Sequence, residues 1–248
     1  MTSKPSIDIV IPVLNEERAL PGTVATLREF LRDAIPNPWR IVIADNGSND
    51  TTPQVCHALT EQYPEVAYLR IEQRGRGRAL RKAWLDSDAD VVSYMDVDLS
   101  TDLRAFPLLL QSLQDGHDIA IGARLIPGAE VHLRSLKREL ISRSYNLLIK
   151  SMFFVPFQDA QCGFKALTRK TAQAIVPHIK NDNWFFDTEL LIIAAKRGYK
   201  INSVPVKWDD DPTSTVHITS TATEDIKGLL RLRFGGIPKV PPPDTDSA

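Results

Sequence analysis

Hydrophobic positions along the chain fall into short, β-branched runs separated by longer segments in which apolar residues recur at helical spacing. IDIVIPVL (residues 7–14) reads as a buried strand and runs into NEERALPGTVATLREFLRDA, where Leu20, Val24, Leu27 and Leu31 line one helical face. RIVIADNG (40–47) repeats the strand, and SNDTTPQVCHALTEQY repeats the helix, with Ser, Asp and Thr offering N-caps. VAYLRIE (66–72), a helix over 76–87, a strand over 89–98, a helix over 102–116 and a strand over 117–124 continue the alternation. Strand and helix in turn predict an α/β protein whose central sheet is mostly parallel and flanked by helices.

Beyond residue 124 the alternation stops. A basic amphipathic segment (131–155) precedes DAQCGFKALT, which reads as a strand. Residues 184–198 read as a helix with Gly198 near its C-cap, 200–208 as a strand, and 209–225 as a loop leading into the helix DIKGLLRLRF. The expected organisation is one domain over 1–235. The tail 236–248, GIPKVPPPDTDSA, has a composition that predicts disorder.

The 248 residues suffice for one large α/β core. Lys plus Arg number 30 against 31 Asp plus Glu, so the net charge of -1 makes no electrostatic case for nucleic acid. Cys56 and Cys162 lie far apart and outside any metal-ligand spacing, which points to reduced thiols and a cytoplasmic setting. The apolar run near the N-terminus is too short for a secretory signal, and no later segment reaches the roughly 20 apolar residues of a membrane-spanning helix. Any membrane contact is expected to be peripheral, at the inner face.

Ligands of such sheets gather outside the carboxyl ends of the strands. There fall Asn15 and Glu16, Asp45 and Asn46, and the carboxylates Asp96, Asp98 and Asp102 of YMDVDLSTD. Clustered carboxylates repel one another, so a cation is expected among them. A hard divalent ion needs only one or two protein carboxylates when a diphosphate supplies further oxygens. If the backbone is extended, Asp96 and Asp98 point the same way. An acidic loop with N-capping by Ser100, Thr101 or Asp102 is the plainer alternative. RGRGRALRKA (74–83) sets Gly75 and Gly77 among Arg74, Arg76, Arg78, Arg81 and Lys82. Bare backbone and arginines at a helix start suit a diphosphate, although some of these cations belong to a solvated face.

Together IPVLNEE, ADNGSNDTT, RGRGRALRKA, DVDLSTD, GAR, DAQCGFK and WFFDTELL, in this order across residues 7–218, resemble the inverting glycosyltransferases of family 2. Within that family they are most similar to the dolichyl- or polyprenyl-phosphate hexosyltransferases, the glucosyl branch above all. The resemblance implies a GT-A fold, a nucleotide-sugar donor, and Mg²⁺ or Mn²⁺. It places Pro12, Asn15, Glu16, Asp45 and Asn46 around the nucleoside, Arg76 and Gly77 at the diphosphate, Asp96 near the donor and Asp98 on the metal. The family usually has Lys where Arg76 stands. Gln161, with Asp159 nearby, is a candidate for the hexose, and Trp184 is a further one. His217 falls near where relatives carry a basic residue against the diphosphate. Asp187 lies where many members have a general base, with Glu189 close by.

An alcohol acceptor needs such a base. A phosphate acceptor is already an oxyanion near neutral pH and needs cations instead. The resemblance maps these cations to Arg124 and to Arg134 or Arg138, leaving Asp187 as a site-lining group. Independently, Arg134, Lys137, Arg138, Arg143 and Lys150 are interleaved with leucines, as in a helix lying on an anionic membrane, unless that apolar face packs on the sheet. GLLRLRFGG is a second such candidate.

The expected reaction is hexose transfer from UDP-glucose to a polyprenyl phosphate. GDP-mannose is the alternative donor, and a soluble hydroxyl compound the alternative acceptor, with Asp187 then the base. Nucleotidyl transfer would want a Gly-rich signature where NEERALPG stands, and a purely binding role is opposed by the intact Asp96 and Asp98.

Overall fold

The computed structural model describes residues 4–132, 135–209 and 218–243. Its first half keeps the expected alternation: β1 (Ile7–Val13), α1 (Leu20–Ala34), β2 (Trp39–Asp45), α2 (Thr52–Gln62), β3 (Val66–Arg70), α3 (Arg76–Leu85), β4 (Val91–Met95), α4 (Phe106–Gln114) and β5 (Ile119–Ala123). Then come β6 (Glu130–His132), α5 (Leu136–Phe153), β7 (Phe164–Thr168), α6 (Arg169–Ile175), α7 (Phe185–Lys196), β8 (Ile201–Pro205), β9 (Lys207–Asp209) and α8 (Ile218–Gly235).

Seven strands form the central sheet in the order β3-β2-β1-β4-β7-β5-β8. All pairings are parallel except those of β7, which runs antiparallel to both β4 and β5. The β-branched runs bury residues on both faces, as a doubly covered sheet requires. Ile9 and Ile11 of β1 pack with Leu20, Val24 and Leu27 of α1 and with Phe106 of α4. Val10, one residue out of phase, joins Trp84 of α3, Ile149 of α5, Phe186 of α7 and Leu229 of α8 on the other face.

This topology sets the functional edge. Strands β2, β1 and β4 are neighbours and parallel, so Asp45, Asn15 and Asp96 emerge side by side from their carboxyl ends. Reversed β7 begins at that same edge, because Met95 at the end of β4 pairs with Phe164 at its start. The loop 159–163 is thereby delivered to the carboxylates.

Several local features differ from the pattern-based expectation. The stretch read as one strand over 200–208 breaks between Pro205 and Lys207 into β8 and β9, and β9 pairs with β6 in a separate two-stranded sheet. Proline has no N–H to continue a ladder, so the chain changes partners there. Helix α6, capped by Thr168 Oγ1 accepting from Thr171 N at 3.2 Å, was not visible in the periodicity. Helix α8 starts at Ile218, earlier than the sequence suggested, as burial of Asp225, Leu229 and Leu232 outweighs the weak helix propensity of its threonines.

The first part of the tail is also held, against the expectation of disorder. Arg197 donates to the carbonyls of Ile237 and Pro238, and Tyr199 Oη to that of Pro241 at 2.8 Å. Prolines lack N–H groups but keep full carbonyl acceptors, and a stiff chain loses little entropy on docking.

Close approach of α8 to α7 depends on Gly228: a Cβ added there would lie 2.3 Å from the buried Phe185 ring. Gly228→Ala is expected to destabilise the protein by about 1–3 kcal/mol through overpacking, read as a Tm lowered by about 2–10 °C in thermal unfolding. An unchanged Tm would show that the two helices separate freely.

Candidate functional site

The acidic motif sits on a turn. β4 ends at Met95, and Leu99, in the left-handed region at φ 49°, donates its N–H to Asp96 O at 3.1 Å. Asp96 and Asp98 are therefore not alternate residues of an extended strand, which corrects that expectation, yet both line one small cleft with Ser100, Thr101 and Gly163. Asp102 serves as the cap of the following turn, accepting from Arg104 N at 2.9 Å. Asp98 is exposed, and among the described residues only its Oδ1 is engaged, by Ser100 N at 3.0 Å.

Asp96 keeps a side chain 41% exposed and seats its inner side over Gly163, where a Cβ would fall 1.6 Å from Oδ2. Desolvation, reinforced by the charge of Asp98, raises its carboxyl above the ordinary range against the pull of Arg76. Among the described residues no three His, Cys, Asp or Glu side chains cluster as a metal cage. The donor set nonetheless fits a hard divalent ion whose remaining ligands come from a substrate: carboxylate oxygens only, one of them exposed.

Arg76 opens α3 and reaches into the site. Its Nη2 donates to Asp96 Oδ1 at 3.1 Å and its Nη1 to Asp187 Oδ2 at 2.6 Å, while the rings of Tyr94 and Trp184 flank it at 4.7 and 4.9 Å. Its Nε is buried and has no hydrogen-bond partner among the described residues. Of the remaining cations in that motif, Arg78 and Arg81 both bind Asp182, and Lys82 pairs with Asp86 on the surface. The space before Gly75 and Gly77 is filled by protein: Cβ atoms would lie 2.6 Å from Asp182 O and 2.6 Å from Phe186 Cβ, respectively. These glycines let α7 and the loop before it approach α3.

Asp187 is enclosed on all sides. Oδ1 accepts from Tyr94 Oη at 2.6 Å and pairs with Lys165 Nζ at 3.0 Å, and Oδ2 takes Arg76. Burial would raise this carboxyl, but the charges of Lys165 and Arg76 outweigh it and hold Asp187 below the usual carboxylate range. Burial, with the Asp187 charge, pushes the Tyr94 phenol well up, so Tyr94 remains a donor. Glu189, one helical position pair further on, is committed to Arg231 Nη1 and Nη2 at 2.9 and 2.7 Å and to Asn181 N at 3.0 Å.

At the carboxyl ends of β1 and β2, Pro12 is buried opposite Ala44. Asp45 accepts from Ser48 N, Tyr68 Oη and Arg70 Nη1 at 2.8, 3.0 and 2.8 Å. Asn46 donates to Val13 O at 2.7 Å and accepts from Gly75 N at 3.3 Å. Both brace the loops from beneath. Asn15 is exposed in the left-handed region at φ 59°, its Oδ1 accepting from Asn49 N at 2.9 Å, and the N–H of half-buried Glu16 donates to Thr52 Oγ1 at 2.8 Å.

Arg124 is spent on Asp159, donating from N, Nε and Nη2 at 2.9, 2.8 and 3.0 Å. This pair holds the loop 159–163 in place. Gln161 of that loop donates to Asp225 Oδ2 at 3.2 Å. Arg138 stands in the first turn of α5, where its N–H is capped by Ser135 Oγ at 3.3 Å. Arg134 and His217 lie outside the described residues. Sequence reasoning did not single out Tyr94, Lys165 or Asp225; a lysine inside the otherwise apolar strand FKALT was the available signal, since a buried charge demands a partner.

Residues 8–176 match the model of glycosyl transferase family 2. Curated relatives include the glycosyltransferase AglD of Haloferax volcanii, 31% identical over 90% of this chain and 35% of that protein. The dolichyl-phosphate beta-glucosyltransferases of Dictyostelium discoideum and Saccharomyces cerevisiae are 27% and 26% identical, each over 92% of this chain and 74% of its own length. The chain thus spans about a third of one relative and about three-quarters of the others. Among solved structures, glucosyl-3-phosphoglycerate synthase from Mycobacterium tuberculosis, in complex with Mn²⁺, UDP and glucosyl-3-phosphoglycerate, superposes with a TM-score of 0.69 at 17% identity, over 97% of this chain and 82% of that one. The shared architecture is the GT-A fold. Since the family model covers more than half its length, the chain belongs to glycosyl transferase family 2.

Proposed function

We propose that this glycosyltransferase moves glucose, with inversion, from UDP-glucose to the phosphate of a polyprenyl (dolichyl-type) lipid at the cytoplasmic face of a membrane. One observation carries the choice of acceptor. Asp187, the residue positioned to be a general base, has both oxygens engaged by Tyr94, Lys165 and Arg76 and is held below the ordinary carboxylate range. A group so stabilised as an anion is a poor proton acceptor. A phosphate nucleophile needs none, because its second ionisation lies near pH 6. The relatives named dolichyl-phosphate beta-glucosyltransferases support the same acceptor and hexose.

In this reading Asn15 and Glu16 meet the nucleoside over the platform of Pro12, Asp45 and Asn46. Asp98 is the metal ligand, with Asp96 beside it and against the donor. Mg²⁺ or Mn²⁺ held there neutralises the charge of the departing diphosphate. Arg76, at the start of α3, meets the same oxygens from the protein side, and His217 is a further candidate cation for them. Gln161 reaches the hexose, Asp187 orients Arg76 and Lys165, and Arg134 and Arg138 receive the acceptor phosphate. Arg124 supports them through the loop it fixes.

Lipid contact has its own physical basis. Helix α5 buries Ile149 and Phe153 yet leaves Leu136, Leu140, Leu147 and the adjoining Phe154 exposed, 87% and 83% so at Leu136 and Phe154. Helix α8 buries Leu229 and Leu232 and exposes Ile226, Leu230 and Phe234 at four-residue intervals. Both apolar faces carry basic neighbours, Arg143, Lys150, Lys227 and Arg233, as interfacial helices do. Among the described residues no helix is long and apolar enough to cross a membrane.

Radiolabel from UDP-glucose should enter an organic-extractable product when polyprenyl phosphate and Mn²⁺ or Mg²⁺ are present, and chelation or Asp98→Ala should cut the rate about 100-fold or more. Label taken only from GDP-mannose would transfer the assignment to that donor. Replacing the acceptor by the corresponding polyprenol should abolish transfer, and the rate on the phosphate should rise through about pH 6 as the acceptor loses its second proton. Efficient transfer to the alcohol or to a soluble hydroxyl compound would return Asp187 to the role of base. Leu140→Asp combined with Phe234→Asp should weaken sedimentation with vesicles containing anionic lipid about fivefold or more while UDP-glucose binding is kept; equal sedimentation would place the lipid contact elsewhere.

A further inference from the structure

Asp225 on α8 is only 3% exposed; Gln161 Nε2 donates to its Oδ2 at 3.2 Å, and hydrogen bonding from the Tyr145 hydroxyl favours its charged form. Among the described residues its Oδ1, which is buried, has no hydrogen-bond partner. Leaving a buried carboxylate oxygen unpaired is costly, and where a protein tolerates the cost a function is the usual reason. Burial pushes this carboxyl up to about 7, and the charges of Glu224 and Asp187 push in the same direction against Tyr145.

Its surroundings define what the free oxygen can take. Tyr145 of α5 lies beside it, with its hydroxyl on Thr188 Oγ1 of α7 at 3.1 Å. Asn146 of α5 accepts from Ala160 N at 3.0 Å and so holds the loop bearing Gln161. The next residue of α7 before Thr188 is Asp187, which leads through Arg76 to Asp96. The site is thus built of hydroxyl, amide and carboxyl groups, at the inner end of the donor network. The charged groups acting on Asp225 are themselves carboxylates, so an anion such as a diphosphate or an acceptor phosphate is repelled. A neutral O–H donor is what this oxygen accepts.

We infer that Asp225, together with Gln161, binds hydroxyl groups of the transferred sugar and is a determinant of hexose specificity. This rests on the UDP-glucose reading above and assigns to α8 a part in donor recognition. A site that pairs its buried polar atoms with ligand hydroxyls rejects ligands lacking them far more strongly than an apolar pocket does.

Calorimetric titration with UDP and with UDP-glucose, each with Mn²⁺, separates the possibilities. Asp225→Asn is expected to leave UDP affinity within about twofold and to weaken UDP-glucose about tenfold or more, with a Tm that is not lowered. Gln161→Ala, which leaves α8 intact, should weaken UDP-glucose selectively as well. Equal weakening of both ligands with a lowered Tm, or no loss for either ligand in both variants, overturns the assignment. Wild-type protein that binds UDP-glucose no better than UDP overturns it too, whereas wild-type protein that binds neither refutes the UDP-glucose donor itself, before any substitution is made.

Discussion

Arg76 lies at the start of α3 with its guanidinium between Asp96, at the end of β4, and Asp187, in the first turn of α7. A cation with only 10% of its side chain exposed has to be paired, because the cost of its desolvation is recovered only by charges in good geometry. Its two partners come from the sheet edge and from the second half of the chain, so this one group sets the distance between them. Other local features serve that junction. Gly77 admits Phe186, Gly163 admits the Asp96 carboxylate, and Arg78 and Arg81 tie the loop before α7 through Asp182.

The same pairing shapes the chemistry. Tyr94, Lys165 and Arg76 saturate Asp187, which stabilises its charged form and removes its basicity. Asp96 experiences the opposite balance, since desolvation and Asp98 raise it. Two carboxylates bridged by one arginine therefore differ in character: the inner one is a fixed anion of the framework, and the outer one opens to solvent. Such divergence within a coupled set is how one site assigns different tasks to like groups.

The alternation of strand and helix up to β5 was legible because each strand is buried on both faces and so reads as a dense apolar run. The residues at the strand ends were legible for the same reason, as polar interruptions where the runs stop. Direction was not: nothing in FKALT distinguishes a parallel from an antiparallel strand, and the reversal of β7 is what brings Gln161 and Gly163 to the site. Glycine function was misread at 75 and 77, where the neighbour demanding room is another part of the protein and unknowable before the halves are docked. Arg124 likewise looked like a cation for a ligand until Asp159, distant in sequence, was found to take it. Asp225 escaped because the first turns of α8 are rich in threonine and read as loop.

Asp225 and Ile226 are consecutive residues of α8, the first turned into the polar network and the second onto the exposed apolar stripe. The width of one helix therefore separates the contact between Gln161 and Asp225 from that exposed stripe. An α-helix is about 10 Å across with its side chains, comparable to the layer of headgroups that separates bilayer hydrocarbon from water. A protein seated on that stripe would hold its reacting groups at the depth where lipid phosphates already reside. The acceptor would then need no tunnel and no extraction from the membrane, only lateral diffusion to the edge of the helix.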